Sequence, residues 1–225
     1  MIASKRRLVR YSPMVRPRLL CRLAVVAALV ATAGCESTAT TTATLEDPAP
    51  AVVSIRGKIG APMIGQFDHM LPNGAPGGAV VYLASGGGDF AVALKIAQRL
   101  EALPSSTAVV TRGCESASVV IFLAAHQRLV APTAVVSVHR PKCTADGVIG
   151  LPCRVFWEPW ARREFHERIA RVSPRWAEYL DSQDPPAFER SGAEFVRVTG
   201  AQLIAFGVAA PYTREALRTI ARAGS

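Results

Sequence analysis

The chain has 225 residues, of which 50% are hydrophobic and 19% charged, with a formal net charge of +9. That length and composition suit one well-cored domain and exclude a disordered protein. The charge suggests a nucleic-acid binder only until it is located. Lys5, Arg6, Arg7, Arg10, Arg16, Arg18 and Arg22 precede Cys35 and every acidic residue follows it, so the remainder carries 19 basic against 17 acidic side chains, and nucleic acid is not an expected partner.

Taken from the N-terminus, the cationic stretch runs into apolar residues 23–33 and then Thr32-Ala33-Gly34-Cys35. Residues 1–34 therefore read as a secretory signal peptide. The apolar run is about half the roughly 20 residues that a membrane-spanning helix needs. The tetrapeptide resembles a lipobox, which would make Cys35 the lipidated first residue of a mature lipoprotein; the alternative is a plain signal peptide that happens to contain Cys35. An Asp after that Cys would favour retention at the inner membrane. Glu36 stands there instead, which leans the expectation to the outer membrane, with the protein lipid-anchored in the cell envelope and facing the periplasm. Residues 35–51 are Thr-, Ala- and Pro-rich without apolar periodicity and read as a flexible tether.

Residues 52–225 make up the expected folded domain. Short branched runs at 52–59, 79–84, 107–111 and 134–138 predict strands, and the spacing of apolar residues predicts helices over 90–103, 117–127 and about 160–180. Strands alternating with helices imply an α/β fold with a mostly parallel sheet covered by helices. Trp157, Trp160 and Trp176 in the last helical stretch are core residues or interface anchors.

Three features sit at strand ends, where open α/β sheets place their sites. Ser85-Gly86-Gly87-Gly88-Asp89 links a strand to a helix; it is either a tight turn with Asp89 as helix cap, or a cradle whose N–H groups hold an oxyanion. Gly113-Cys114-Glu115-Ser116-Ala117-Ser118 puts a serine at a helix start, as a cap or as a nucleophile. His139, with Arg140-Pro141, ends a strand, where an imidazole can take a proton from a hydroxyl near neutral pH. His69 and His126 lie in or near turns and His166 in a charged helix. No metal-ligand spacing is visible and no cofactor is expected.

In this order and spacing the three features resemble the Clp-type serine proteases of the crotonase superfamily, over about residues 52–208. Ser85-Gly86-Gly87-Gly88-Asp89 is similar to that family's glycine turn, Ser116 to its nucleophile and His139-Arg140-Pro141 to its base motif. The Cys-x-Ser-Ala beginning at Cys114 resembles predicted periplasmic relatives more closely still. The resemblance implies a crotonase/Clp-protease-like fold, Ser116 as nucleophile and His139 as base. It further implies an oxyanion hole from the N–H groups of Gly88 and Ala117, with Gly86 and Gly87 shaping the turn. The sequence departs from the family at the triad acid: residues 196–208 align so that Phe195 occupies its position, leaving adjacent Glu194 as the candidate, with Asp181 or Asp184 as further possibilities from the preceding loop.

The expected function is that of an exported serine hydrolase, a peptidase acting through an acyl-enzyme on a peptide or protein substrate. The alternative is a non-catalytic binding or scaffold lipoprotein of the same fold. Acyl-CoA chemistry of the crotonase branch is disfavoured by export, and whether a homo-oligomer forms stays open. In an oxidising compartment Cys143 and Cys153, flanking a short loop after His139, are expected to pair; Cys114 with Cys143 is the alternative.

Overall fold

A computed structural model describes residues 48–142, 153–190 and 194–223. Residues 1–34, Cys35 and most of the predicted tether lie outside them. Among the described residues no helix is long and apolar enough to cross a membrane.

Four strands form the centre of a seven-stranded sheet, the first three carrying β-branched runs: β1 (Ala51–Arg56), β2 (Ala79–Ser85), β3 (Ser106–Glu115) and β4 (Gln127–Val130). They lie side by side in that order, all parallel, and β7 (Ala210–Pro211) extends the row beyond β4. Parallel neighbours need crossover connections. Here α2 (Phe90–Glu101) links β2 to β3, and α3 (Ala117–Ala124) links β3 to β4. All eight residues of α3 are buried, which explains its unbroken apolar sequence: it is a central helix with no solvent face. The mostly parallel sheet with covering helices is the architecture expected from the sequence.

Strand β3 forks the sheet. Its first half, Thr107 to Val110, pairs with β4, whereas its second half, Gly113 to Glu115, pairs with β5 (Val135–Val138). Against β5 runs β6 (Val196–Thr199), the antiparallel member of the sheet. Two parallel strands therefore leave the fork together, and Ser116 and His139 directly follow their ends.

Several bounds differ from expectation for identifiable reasons. The strand expected at 107–111 continues to Glu115 because β5 offers its second half a fresh partner. The helix expected to reach 127 stops at Ala124 because Gln127 already pairs in β4. The long helix expected over 160–180 is two, α4 (Glu158–Val172) and α5 (Pro174–Asp181). Between them Ser173 is extended, and its hydroxyl accepts from the Trp176 N–H at 3.2 Å, so Ser-Pro ends one helix and caps the next. An unanticipated helix, α1 (Pro62–His69), packs Phe67 into the core. The last segments are α6 (Gly200–Ala205) and α7 (Arg214–Ala223). Of the three tryptophans, Trp176 is core, Trp157 is half-buried and Trp160 is exposed.

Candidate active site

The glycine turn after β2 is fixed from both sides. The buried Ser85 hydroxyl donates to the Gly57 carbonyl at 2.6 Å and accepts from the Gly87 N–H at 3.1 Å. Ile59 then grips the turn as one more strand residue would: its N–H donates to the Gly87 carbonyl, and its carbonyl accepts from Asp89. Gly87 and Gly88 have φ of 89° and 143°, a region that side chains rarely enter. A Cβ on Gly87 would lie 2.6 Å from the Ser116 Cβ, and one on Gly88 would overlap the Ile59 carbonyl. The glycines thus let the turn touch Ser116 on one side and Ile59 on the other. Asp89 is extended and caps α2, accepting from the Ala91 and Val92 N–H groups at 2.8 and 3.0 Å.

Ser116 does not cap α3. It makes no side-chain cap hydrogen bond, and its backbone sits at φ 55°, ψ −128°, a conformation that costs a non-glycine residue on the order of 1–3 kcal/mol. Its N–H is tied to the Ser137 carbonyl of β5 at 2.8 Å. The hydroxyl instead meets His139, with Oγ 2.7 Å from Nε2. Ser118, two residues on, is fully buried and occupied: it can donate to the Ser85 or Glu115 carbonyl and accepts from the Glu115 N–H.

The backbone donors beside this contact are available. In the parallel bridge with Ile59, the N–H of Gly88 faces away from Ile59 and toward the β3 side, where Ser116 begins. Neither it nor the Ala117 N–H is bonded to another described group. Gly87, by contrast, approaches the Ala117 nitrogen closely, but its own N–H is already given to Ser85.

On its far side His139 lacks the expected acid. The residue is 9% exposed, and its Nδ1 has no hydrogen-bond partner among the described residues. Phe195 lies edge-on against the ring, with centroids 4.6 Å apart. Glu194 is exposed and is not brought to His139, because the chain entering β6 turns Phe195 inward and Glu194 outward. Asp181 instead pairs with His166, at 3.0 Å, and Asp184 is exposed. Burial above all pushes the His139 pKa below its ordinary 6.5. The Arg140 backbone pulls it upward without a well-formed bond to Nδ1, Lys142 pushes it further down, and the Glu115 carboxylate pulls it up.

Glu115 itself escaped the sequence reading. Its side chain lies beside the glycine turn, with Oε2 3.8 Å from where a Cβ on Gly86 would stand, and Oε1 accepts from the Ser137 hydroxyl at 3.4 Å. The one available signal was adjacency to Ser116. Cys114 is free and buried, and burial pushes its thiol up to about 12, so it is inert at neutral pH. Cys143 lies outside the described residues, and the predicted Cys143–Cys153 bridge with it. No group of three or more His, Cys, Asp or Glu converges among the described residues as a metal site would require.

No family model matches this sequence, and no curated protein matches it. Solved structures do. ClpP1 from Listeria monocytogenes superposes with a TM-score of 0.59 at 19% identity, covering 74% of this chain and 94% of that one. A point mutant of ClpP1 from the same organism gives 0.58 at 16% identity with the same coverage. At such identities the likeness speaks for architecture alone: the chain has the fold of the Clp proteases.

Proposed function

We propose that the chain is a serine hydrolase, a peptidase working through an acyl-enzyme on Ser116. The observation that carries this reading is the 2.7 Å contact between the Ser116 hydroxyl and His139 Nε2, made by a serine held in a strained backbone and excused from capping its helix. Strain of this kind is retained where the surroundings over-determine it, as they do at functional sites.

The geometry supports a two-step reaction. Burial keeps His139 neutral at neutral pH, so Nε2 can accept the hydroxyl proton as Oγ bonds to a substrate carbonyl carbon. The carbonyl oxygen becomes an oxyanion, and the Gly88 and Ala117 N–H groups, unbonded among the described residues, are its candidate donors. Collapse breaks the bond to the leaving group, which takes the proton from Nε2. A water then repeats the sequence in reverse and frees Ser116. With no acid at Nδ1 among the described residues the imidazolium formed midway is poorly supported, and the rate should be well below that of a full triad, in which loss of the acid costs about four orders of magnitude.

The orphaned Nδ1 also favours a second reading, a binding or scaffold protein that keeps the fold without turnover. A fluorophosphonate probe separates the two. Wild type should be labelled, and Ser116→Ala and His139→Ala should not, at matched thermal stability. A folded wild type that takes no label supports the binding protein instead.

In this reading the protein works outside the cytoplasm, anchored through lipid on Cys35, with the outer membrane as its expected site. The support is the order of cationic, apolar and small residues that ends at Cys35. Cys35→Ser should move the protein from the membrane to the soluble fraction; unchanged fractionation counts against the anchor.

A further inference from the structure

We propose that Glu115 is the specificity residue of this site and selects substrates that carry a cationic group, an ammonium or guanidinium, next to the bond that Ser116 attacks. The inference rests on the hydrolase reading and adds the substrate class.

Placement comes first. Glu115 is the last residue of β3, immediately before Ser116, and pairs in register with Ser137 of β5. Registered residues on neighbouring strands share a face of the sheet, and His139 lies two residues beyond Ser137, so it falls on that face as well. The carboxylate is therefore on the side of the sheet where Ser116 meets His139.

Space comes second. Among the described residues the single neighbour within 4 Å of a Cβ built on Gly86 is Glu115 Oε2, at 3.8 Å, and they leave the room above Gly86 otherwise open. Gly87 and Gly88 are closely packed, so Gly86 is the part of the turn past which a substrate chain can run. Any chain that presents a carbonyl to Ser116 along that path passes the Glu115 carboxylate.

Charge decides what it selects. Glu115 is half-buried, yet among the described residues no Lys or Arg pairs with it, and its one side-chain partner is the long Ser137 bond. The half-buried carboxylate of Glu164 does have a partner here, in Arg168. A partly desolvated carboxylate with no counter-ion loses hydration without a return. A substrate cation supplies that return, whereas an anionic side chain there meets a like charge.

The test uses the full chain and three internally quenched depsipeptides that are identical except for Lys, norleucine or Glu on both sides of a central ester. Wild type should cleave the Lys compound with a kcat/KM at least about tenfold above the norleucine compound, and the Glu compound slowest. Glu115→Gln should remove the preference and Glu115→Lys should turn it toward the Glu compound. Where neither variant folds, the decline of the wild-type preference with added salt reads the same charge. Equal cleavage of Lys and norleucine compounds by wild type overturns the assignment and leaves the hydrolase reading standing. So does a Glu115→Gln variant that slows all three equally with the preference kept, since the carboxylate then acts on His139 and not on substrate. A wild type that cleaves none also overturns it, and fluorophosphonate labelling then decides whether the hydrolase reading falls too.

Discussion

Around Ser116 the structure ties the glycine turn and the serine backbone down with hydrogen bonds, whereas on His139 it leaves a buried ring nitrogen without a partner among the described residues. On the serine side, Ser85, Ile59, Ser118 and the Ser137 carbonyl fix the glycine turn and the nucleophile from several directions. On the imidazole side, Nδ1 is buried without a partner among the described residues and an aromatic ring stands against it. Ser116 is therefore positioned by backbone geometry that tolerates little change, while among the described residues His139 lacks the orienting bond that would fix its tautomer. The two halves of the proposed site are separately built, and one can be intact without the other.

Breaking the serine side should have the largest effect. Gly88→Ala forces a Cβ into the Ile59 carbonyl at a φ of 143°, and an expected loss of about 2–5 kcal/mol in urea denaturation should come with lost probe labelling. Gly86→Ala is the contrast. Its Cβ would find only Glu115 Oε2 at ordinary contact distance, so stability should change by less than about 1 kcal/mol. Similar losses at both positions would mean that the turn is not held as described.

Repairing the imidazole side should have the next effect. Phe195→Asp puts a carboxylate where the ring now meets His139, and the rate of probe labelling should rise by roughly ten- to a hundredfold. Its pH dependence moves in a defined direction. In wild type, burial depresses the His139 pKa, so labelling should rise with pH through a midpoint below 6.5. A facing carboxylate favours the charged ring, so the variant's midpoint should lie above that of wild type. For the same reason the His139 contribution to stability is present above 6.5 and is lost as pH falls through the depressed value. A midpoint unmoved by Phe195→Asp would show that the new carboxylate does not reach the ring. The smallest effect belongs to Glu194→Gln, which should change labelling less than about twofold, because an exposed side chain away from His139 has nothing to lose.

Much of this was legible locally. Strands β2 and β5 and helix α2 announce themselves in branched runs, apolar spacing and the Asp89 cap, and those signals survive folding because they are properties of a few adjacent residues. The Ser116 and His139 candidates follow from the order and spacing of three motifs that resemble those of the Clp-type proteases, since each motif alone reads equally as a cap, a turn or a structural histidine. What was not legible depends on distant partners. Gln127-Arg128-Leu129-Val130 is a strand because β3 offers an edge, not because its sequence demands one. Nor does Glu115 look different from any surface acid until the fork of β3 sets it over Gly86. The break at Ser173-Pro174 was readable in principle, as a cap followed by a first-turn proline, and the helical periodicity on both sides masked it.

The fork in β3 also decides which part of the machinery is exchangeable. Ser116 and His139 directly follow the ends of β3 and β5, 23 residues apart, so their meeting closes a short loop, which the glycine turn after β2 braces from one side. The aromatic side chain against the His139 ring comes from much later in the chain, from the entry to β6, which among the described residues pairs with β5 alone. Residue 195 can therefore change identity without disturbing the strands that hold the nucleophile and its base. The fold thus keeps a replaceable position beside a contact of fixed geometry, and under the proposed function a change at that edge tunes the imidazole without moving the serine.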